Sequence, residues 1–167
     1  MVLEINTVAE AKSLALTWMK KRGYTPTEIL PCPDDLSFML QGKAANEMPF
    51  LVIQPRTAED FVVAIANVRV TESSYASLNK MSETDRDDFL WNLKRELMFA
   101  PPNFSFDPSY EETGIPKGFQ FSKEVYYGEL TEGKLAEAVD YAIRSALWVV
   151  WTFRRKFGAP AEVKFVD

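Results

Sequence analysis

The chain has 167 residues, of which 47% are hydrophobic and 13% aromatic, and it carries a net charge of −5 with a pI near 4.9. That is the size and apolar content of one domain with a real core, which excludes a disordered chain, and the acidic balance argues against a nucleic-acid partner. There is no histidine and one cysteine, Cys32, so the commonest general base, the commonest metal ligand, Ser-His and Cys-His pairs and an intrachain disulfide are all absent.

Along the chain, Thr7 to Glu10 has the spacing of a capping box and Gly23 is a stop signal. A helix is expected from about Val8 to Arg22, with Val8, Ala11, Ala15, Trp18 and Met19 on one face. The first residues, "MVLEINTVAEAK", lack the basic start and apolar run of a signal peptide, so a cytoplasmic location is expected. "YTPTEILPCPDD" carries three prolines and reads as a loop.

Three strands follow, Leu36 to Gln41, Pro49 to Gln54 and Phe61 to Val70. In the third, Val62, Ala64, Ala66, Val68 and Val70 alternate onto one face, and Asn67 and Arg69 lie on the other. The short connections predict an antiparallel meander. A short helical turn is expected over Tyr75 to Met81, then a longer helix, Glu83 to Phe99, capped by Ser82 and ended by Pro101 and Pro102. "NFSFD" (Asn103 to Asp107) alternates like a strand and "SYEETGIPKG" reads as a loop. The last strand, Phe119 to Tyr127, places Phe119, Phe121, Val125 and Tyr127 on one side and Gln120, Ser122 and Glu124 toward water. Thr131 opens a final helix to Phe157, stopped by Gly158. The order α-β-β-β-α-β-β-α predicts one α+β domain with a five-stranded, mainly antiparallel sheet and helices packed on it.

That order resembles the type III secretion chaperone-like fold, whose members are compact dimers that hold an extended segment of a client protein. It resembles more closely an uncharacterised archaeal family of unknown function with the same element order. The resembling stretches are "MSETDRDDFLWNLKRELM" (Met81 to Met98), "GIPKGFQFSKEVYYGELTEGKL" (Gly114 to Leu135) and "VVWTFRRKFG" (Val149 to Gly158). The resemblance implies a fold and a chaperone-like scaffold; it brings no catalytic motif.

The candidate chemistry is thin. Glu83, Asp85, Asp87 and Asp88 point in different directions on a helix, so they read as a solvated first turn that suits the helix dipole. Cys32 lies between two prolines with no cation beside it in sequence and reads as packed or incidental. No metal or organic cofactor is expected. No membrane span is expected either: Asp140 and Arg144 interrupt the apolar run of the final helix upstream, and Arg154 and Arg155 end it.

The anomaly is a surplus of apolar side chains on two helices. In the final helix Leu135, Val139, Ala142, Ala146, Val150, Phe153 and Phe157 form one stripe at 100° per residue. Tyr141, Trp148 and Trp151 fall opposite it, where Arg144 and Arg155 stand one turn from Trp148 and Trp151 and could stack on them. In the earlier helix Phe89, Leu90, Leu93 and Leu97 form the inner stripe, and Trp91 and Met98 lie on the far side. Either another element of the chain covers these residues or they form an interface, whose composition favours Trp, Tyr, Met and Arg. The leading expectation is a non-enzymatic protein-binding module, a homodimer with an unidentified protein client. Trp91 and Met98 are expected in the self-interface, with Tyr141, Trp148 and Trp151 added to it or forming the client site. The alternative is a small-molecule-binding protein or enzyme with a pocket between sheet and helices, lined by Tyr126, Tyr127 and Trp18 with Glu124 nearby.

Overall fold

In the computed structural model, which describes residues 4–57, 60–107, 109–158 and 163–166, the first helix begins as its sequence dictates. The Thr7 hydroxyl accepts the Glu10 N–H at 3.2 Å while the Glu10 carboxylate accepts the Thr7 N–H at 3.0 Å, a complete capping box. Helix α1 (Val8–Lys21) buries Ala11, Ala15, Trp18 and Met19. The sheet follows with β1 (Thr27–Glu28), β2 (Leu36–Lys43), β3 (Pro49–Pro55) and β4 (Phe61–Val70). Then come α2 (Glu72–Lys80), α3 (Glu83–Met98), β5 (Asn103–Phe106), α4 (Ser109–Thr113), β6 (Gly118–Tyr126), α5 (Glu132–Phe157) and β7 (Val163–Val166).

All strand pairings are antiparallel, in the order β1-β2-β3-β4-β6-β5. The meander of β2, β3 and β4 is as expected, and β5 pairs with β6. The sheet has seven strand segments rather than five. One addition, β1, is a two-residue pairing inside the proline-rich loop, too short to show alternation. The other, β7, lies past Gly158 and pairs with β4 from Asn67 to Val70. It takes the stretch of β4 that β3 leaves free, since β3 pairs with β4 only from Leu51 to Ile53. The expected loop after Asp107 contains α4. Helix α2 starts earlier than expected because Thr71 caps it, accepting the Ser74 N–H at 3.3 Å.

The core lies on one face of the sheet. Val62, Ala64, Ala66, Val68 and Val70 of β4 and Phe119, Phe121 and Val125 of β6 are buried there, beneath α5. Thr131 caps that helix, accepting the Lys134 N–H at 3.1 Å, and Gly158 ends it at φ 84°, a conformation that favours glycine. Its inner stripe runs from Leu135 through Ala142 and Ala146 to Phe153, all fully buried. Helix α1 packs beside it against β2, so closely that a Cβ on Gly42 would stand 2.6 Å from Met19 Cε and 2.8 Å from Phe50 Cζ.

Two aromatic clusters fill this layer. Trp18, Tyr24 and Phe50 meet at centroid distances of 5.5 to 6.1 Å. Phe153 stands 5.4 Å from Phe89 of α3, 6.1 Å from Phe119 of β6 and 5.7 Å from Phe157, so one ring joins two helices to the sheet. On the opposite face Leu51, Val63 and Ile65 form a smaller cluster with Met39, Ile53 and Phe61, which gives way on β6 to Gln120, Ser122 and Glu124.

Phe153→Ala removes the ring shared by α3, α5 and β6. The expected loss of unfolding free energy in urea denaturation is about 3–5 kcal/mol; a loss under about 1 kcal/mol would mean that the ring is not central to the core.

Candidate protein-interaction site

Helix α3 presents two different faces. Its start is fixed by Ser82, whose hydroxyl accepts the Asp85 N–H at 3.1 Å. Glu83, Asp85, Asp87 and Asp88 are exposed on the first turns. Among the described residues no three His, Cys, Asp or Glu side chains gather where they could hold a metal ion. Leu90, Leu93 and Leu97 are buried, whereas Trp91 is 63% exposed, Met98 71% and Phe99 86%. Helix α5 repeats the pattern: Trp148 and Trp151 are exposed by 43% and 56%, and Tyr141 is half-buried. All five residues singled out in sequence therefore lie on outer faces, and among the described residues no element fully covers Trp91, Met98, Trp148 or Trp151.

They form two patches. Tyr141 and Trp148 line a groove of about 330 Å³ with Arg144 and Ser145 on one wall and Leu97, Ala100 and Pro101 on the other. Trp91 lines a separate depression with Asp87, Lys94 and Tyr110. The reason is helical geometry: Glu96, on the groove side of α3, is five residues from Trp91, about 140° around the axis at 100° per residue. Met98 is seven residues from Trp91 and shares its side. Phe99, missed in the sequence reading, is the C-cap of α3; a large apolar residue at a helix end just before Pro101 and Pro102 was the available signal.

Charges are distributed differently on the patches. Beside Trp91, the Lys94 ammonium donates to the Tyr110 hydroxyl and stands 4.5 Å from the Tyr110 ring centroid and 5.4 Å from that of Phe106. On α5, Lys134 donates to Glu137 at 3.0 Å. That hydrogen bond first, then the lysine charge and a hydrogen bond from Tyr141, hold the Glu137 carboxyl below its ordinary range, and the same bond raises Lys134. The stacking of Arg144 on Trp148 and of Arg155 on Trp151 suggested by their spacing is not formed: among the described residues cation–π contacts are made by Lys94 and Lys117.

The residues named for a pocket do not converge. Trp18 and Tyr127 are buried on the helix side of the sheet, where the Tyr127 hydroxyl donates to Gln54 Oε1 at 2.9 Å. Tyr126 and Glu124 project from the opposite face, because alternate residues of β6 point to opposite sides. There the Tyr126 hydroxyl donates to Glu124 at 3.3 Å, and the Glu124 charge raises the phenol. Glu111 and Glu112, placed in a loop from sequence, belong to α4.

A family model described as "Uncharacterized conserved protein (DUF2299)" matches residues 12–153, which include most of α1, the sheet through β6 and most of α5. The chain belongs to the DUF2299 family. No curated protein matches it. Its fold is similar to that in a crystal structure of an uncharacterised protein from Methanothermobacter thermautotrophicus. The TM-score is 0.80 at 18% identity, over 89% of this chain and 99% of that one. The matched span of this DUF2299 protein contains both patches. Among its described residues no helix is long and apolar enough to cross a membrane.

The Glu137–Lys134 pair gives a direct check of the α5 surface. A depressed carboxyl adds stability above the unfolded-state pKa, about 4.3 for glutamate, and loses it as pH falls through the native value. In an NMR titration the Glu137 carboxyl should therefore have a lower midpoint in the native protein than in Lys134→Met. Equal midpoints would show that the pair is not formed.

Proposed function

We propose that this DUF2299 protein is a non-enzymatic, protein-binding module with a chaperone-like scaffold. It binds a second copy of itself and a client protein through the outer faces of α3 and α5. One observation carries the reading: Trp91, Met98, Phe99, Trp148 and Trp151 remain exposed on helices whose inner stripes are fully packed. Exposed apolar surface of this extent is unusual for a soluble monomer. Burying one such side chain contributes about 1.5–3 kcal/mol, so either patch can offset the entropy of association.

Two separate patches suit two occupants. The client is a protein segment that presents apolar side chains to one of them. The resemblance in element order to secretion chaperones supports the scaffold reading, and the lack of histidine supports the non-enzymatic one. The lone thiol of Cys32 supports a cytoplasmic setting.

The test is sedimentation velocity over a wide concentration range on the wild type, Trp91→Ala and Trp148→Ala. The wild type should self-associate. At least one variant should do so about tenfold or more weakly, as expected for losing about 1.4 kcal/mol or more, with an unchanged far-UV circular dichroism spectrum. A wild type that is monomeric throughout would remove self-association from the reading. Unfolding of Trp91→Ala would place Trp91 in the core.

A further inference from the structure

The outer face of α5 carries six side chains in line: Glu137, Tyr141, Arg144, Trp148, Trp151 and Arg155. All are exposed except the half-buried Tyr141. Their spacing is 4, 3, 4, 3 and 4 residues, the repeat of a helix-pairing seam. It reads the same from either end, and so does the chemistry in complementary form. An acid at one end answers a base at the other, then a tyrosine answers a tryptophan, then an arginine answers a tryptophan. Each of these pairs is centred on Ala146.

We propose that a second copy of this chain packs its α5 antiparallel against this face, across a two-fold axis on the outer side of the helix at the level of Ala146. Glu137 then meets Arg155 of the second copy, Tyr141 meets Trp151, and Arg144 meets Trp148. The two-fold makes every pair occur twice. This rests on the protein-binding reading and assigns the α5 patch to self-association, which leaves the Trp91 and Met98 patch for the client.

Charge selects the orientation. The first turns of α5 expose Glu137 and Asp140 against one exposed cation, Lys134, which already pairs with Glu137, and its last turn exposes Arg154, Arg155 and Lys156. Antiparallel packing brings opposite charges and opposite helix dipoles together; parallel packing would set like against like. The two arginines of the seam are free for the purpose, since neither Arg144 nor Arg155 forms an ion pair among the described residues. An arginine face to face with an indole gains most once water is excluded.

The experiment is a charge exchange followed by sedimentation velocity. Glu137→Arg and Arg155→Glu each create two like-charge contacts per dimer, so each variant alone should dimerise about tenfold more weakly or worse. An equimolar mixture of the two should restore the dimer, because the heterodimer regains opposite charges at both ends. The double variant should also restore it, and Trp148→Ala should lose it. The mixture and the double variant exclude misfolding as the cause of the single effects. A wild-type dimer that ignores both exchanges, with no heterodimer preference in the mixture, would overturn this pairing. If Trp91→Ala then dissolves that dimer, the protein-binding reading stands with a different interface. A wild type monomeric at every concentration would overturn the pairing and self-association together.

Discussion

The structure depends on the packing of the inner stripe of α5 onto β4 and β6. Leu135, Ala142, Ala146 and Phe153 are fully buried along it, and small residues at its centre let the helix approach the small side chains Ala64 and Ala66 of β4. At its far end Phe153 ties in α3 through Phe89 and the sheet through Phe119. Once α5 is seated, its orientation is set, and its opposite face must look away from the sheet. The exposed tryptophans thus follow from the core packing: the same helix cannot turn Phe153 inward and hide Trp148 or Trp151 as well.

Much of this was legible in sequence because strong periodicity survives tertiary packing. The alternation of Val62 to Val70 and of Phe119 to Tyr127 assigned the buried face of the sheet residue by residue. The 3.6-residue period in α3 and α5 separated inner from outer faces, and the capping residues Thr7, Ser82 and Thr131 marked three helix starts. The missing pieces have physical reasons. A two-residue strand such as β1 has no period to read. The pairing of β7 with β4 depends on β3 leaving β4 unpaired beyond Ile65, elsewhere in the chain. Val63 and Ile65, which bury the second face of β4, were overshadowed by Asn67 and Arg69 on the same side.

The candidate site was legible to the same extent and for the same reason. Residue type and period placed Trp91, Met98, Tyr141, Trp148 and Trp151 on outer faces, but no periodicity within one helix reports how two helices sit side by side. That arrangement places Trp91 beside Tyr110 and Lys94, and Tyr141 and Trp148 in a groove beside Leu97 and Pro101. The residues expected to line a ligand pocket are split by the end of β6: Tyr126 is its last residue and is exposed, whereas the chain turns at Tyr127 and buries that ring. Family membership and the similar archaeal fold extend the architecture to relatives without adding a reaction. The physical features that remain are two aromatic surfaces and a self-complementary order of charges along α5.

Tryptophan accessibility tests the central claim most directly. Of the four tryptophans, Trp18 is buried and Trp91, Trp148 and Trp151 are exposed in a single chain. Fluorescence quenching by a neutral water-soluble quencher, followed as protein concentration rises, should show the accessible fraction falling as Trp148 and Trp151 become covered. The emission should shift to shorter wavelength in step, and Trp148→Ala should flatten both curves. Quenching and emission that stay constant from dilute to concentrated protein would contradict the claim that these surfaces bring two copies together.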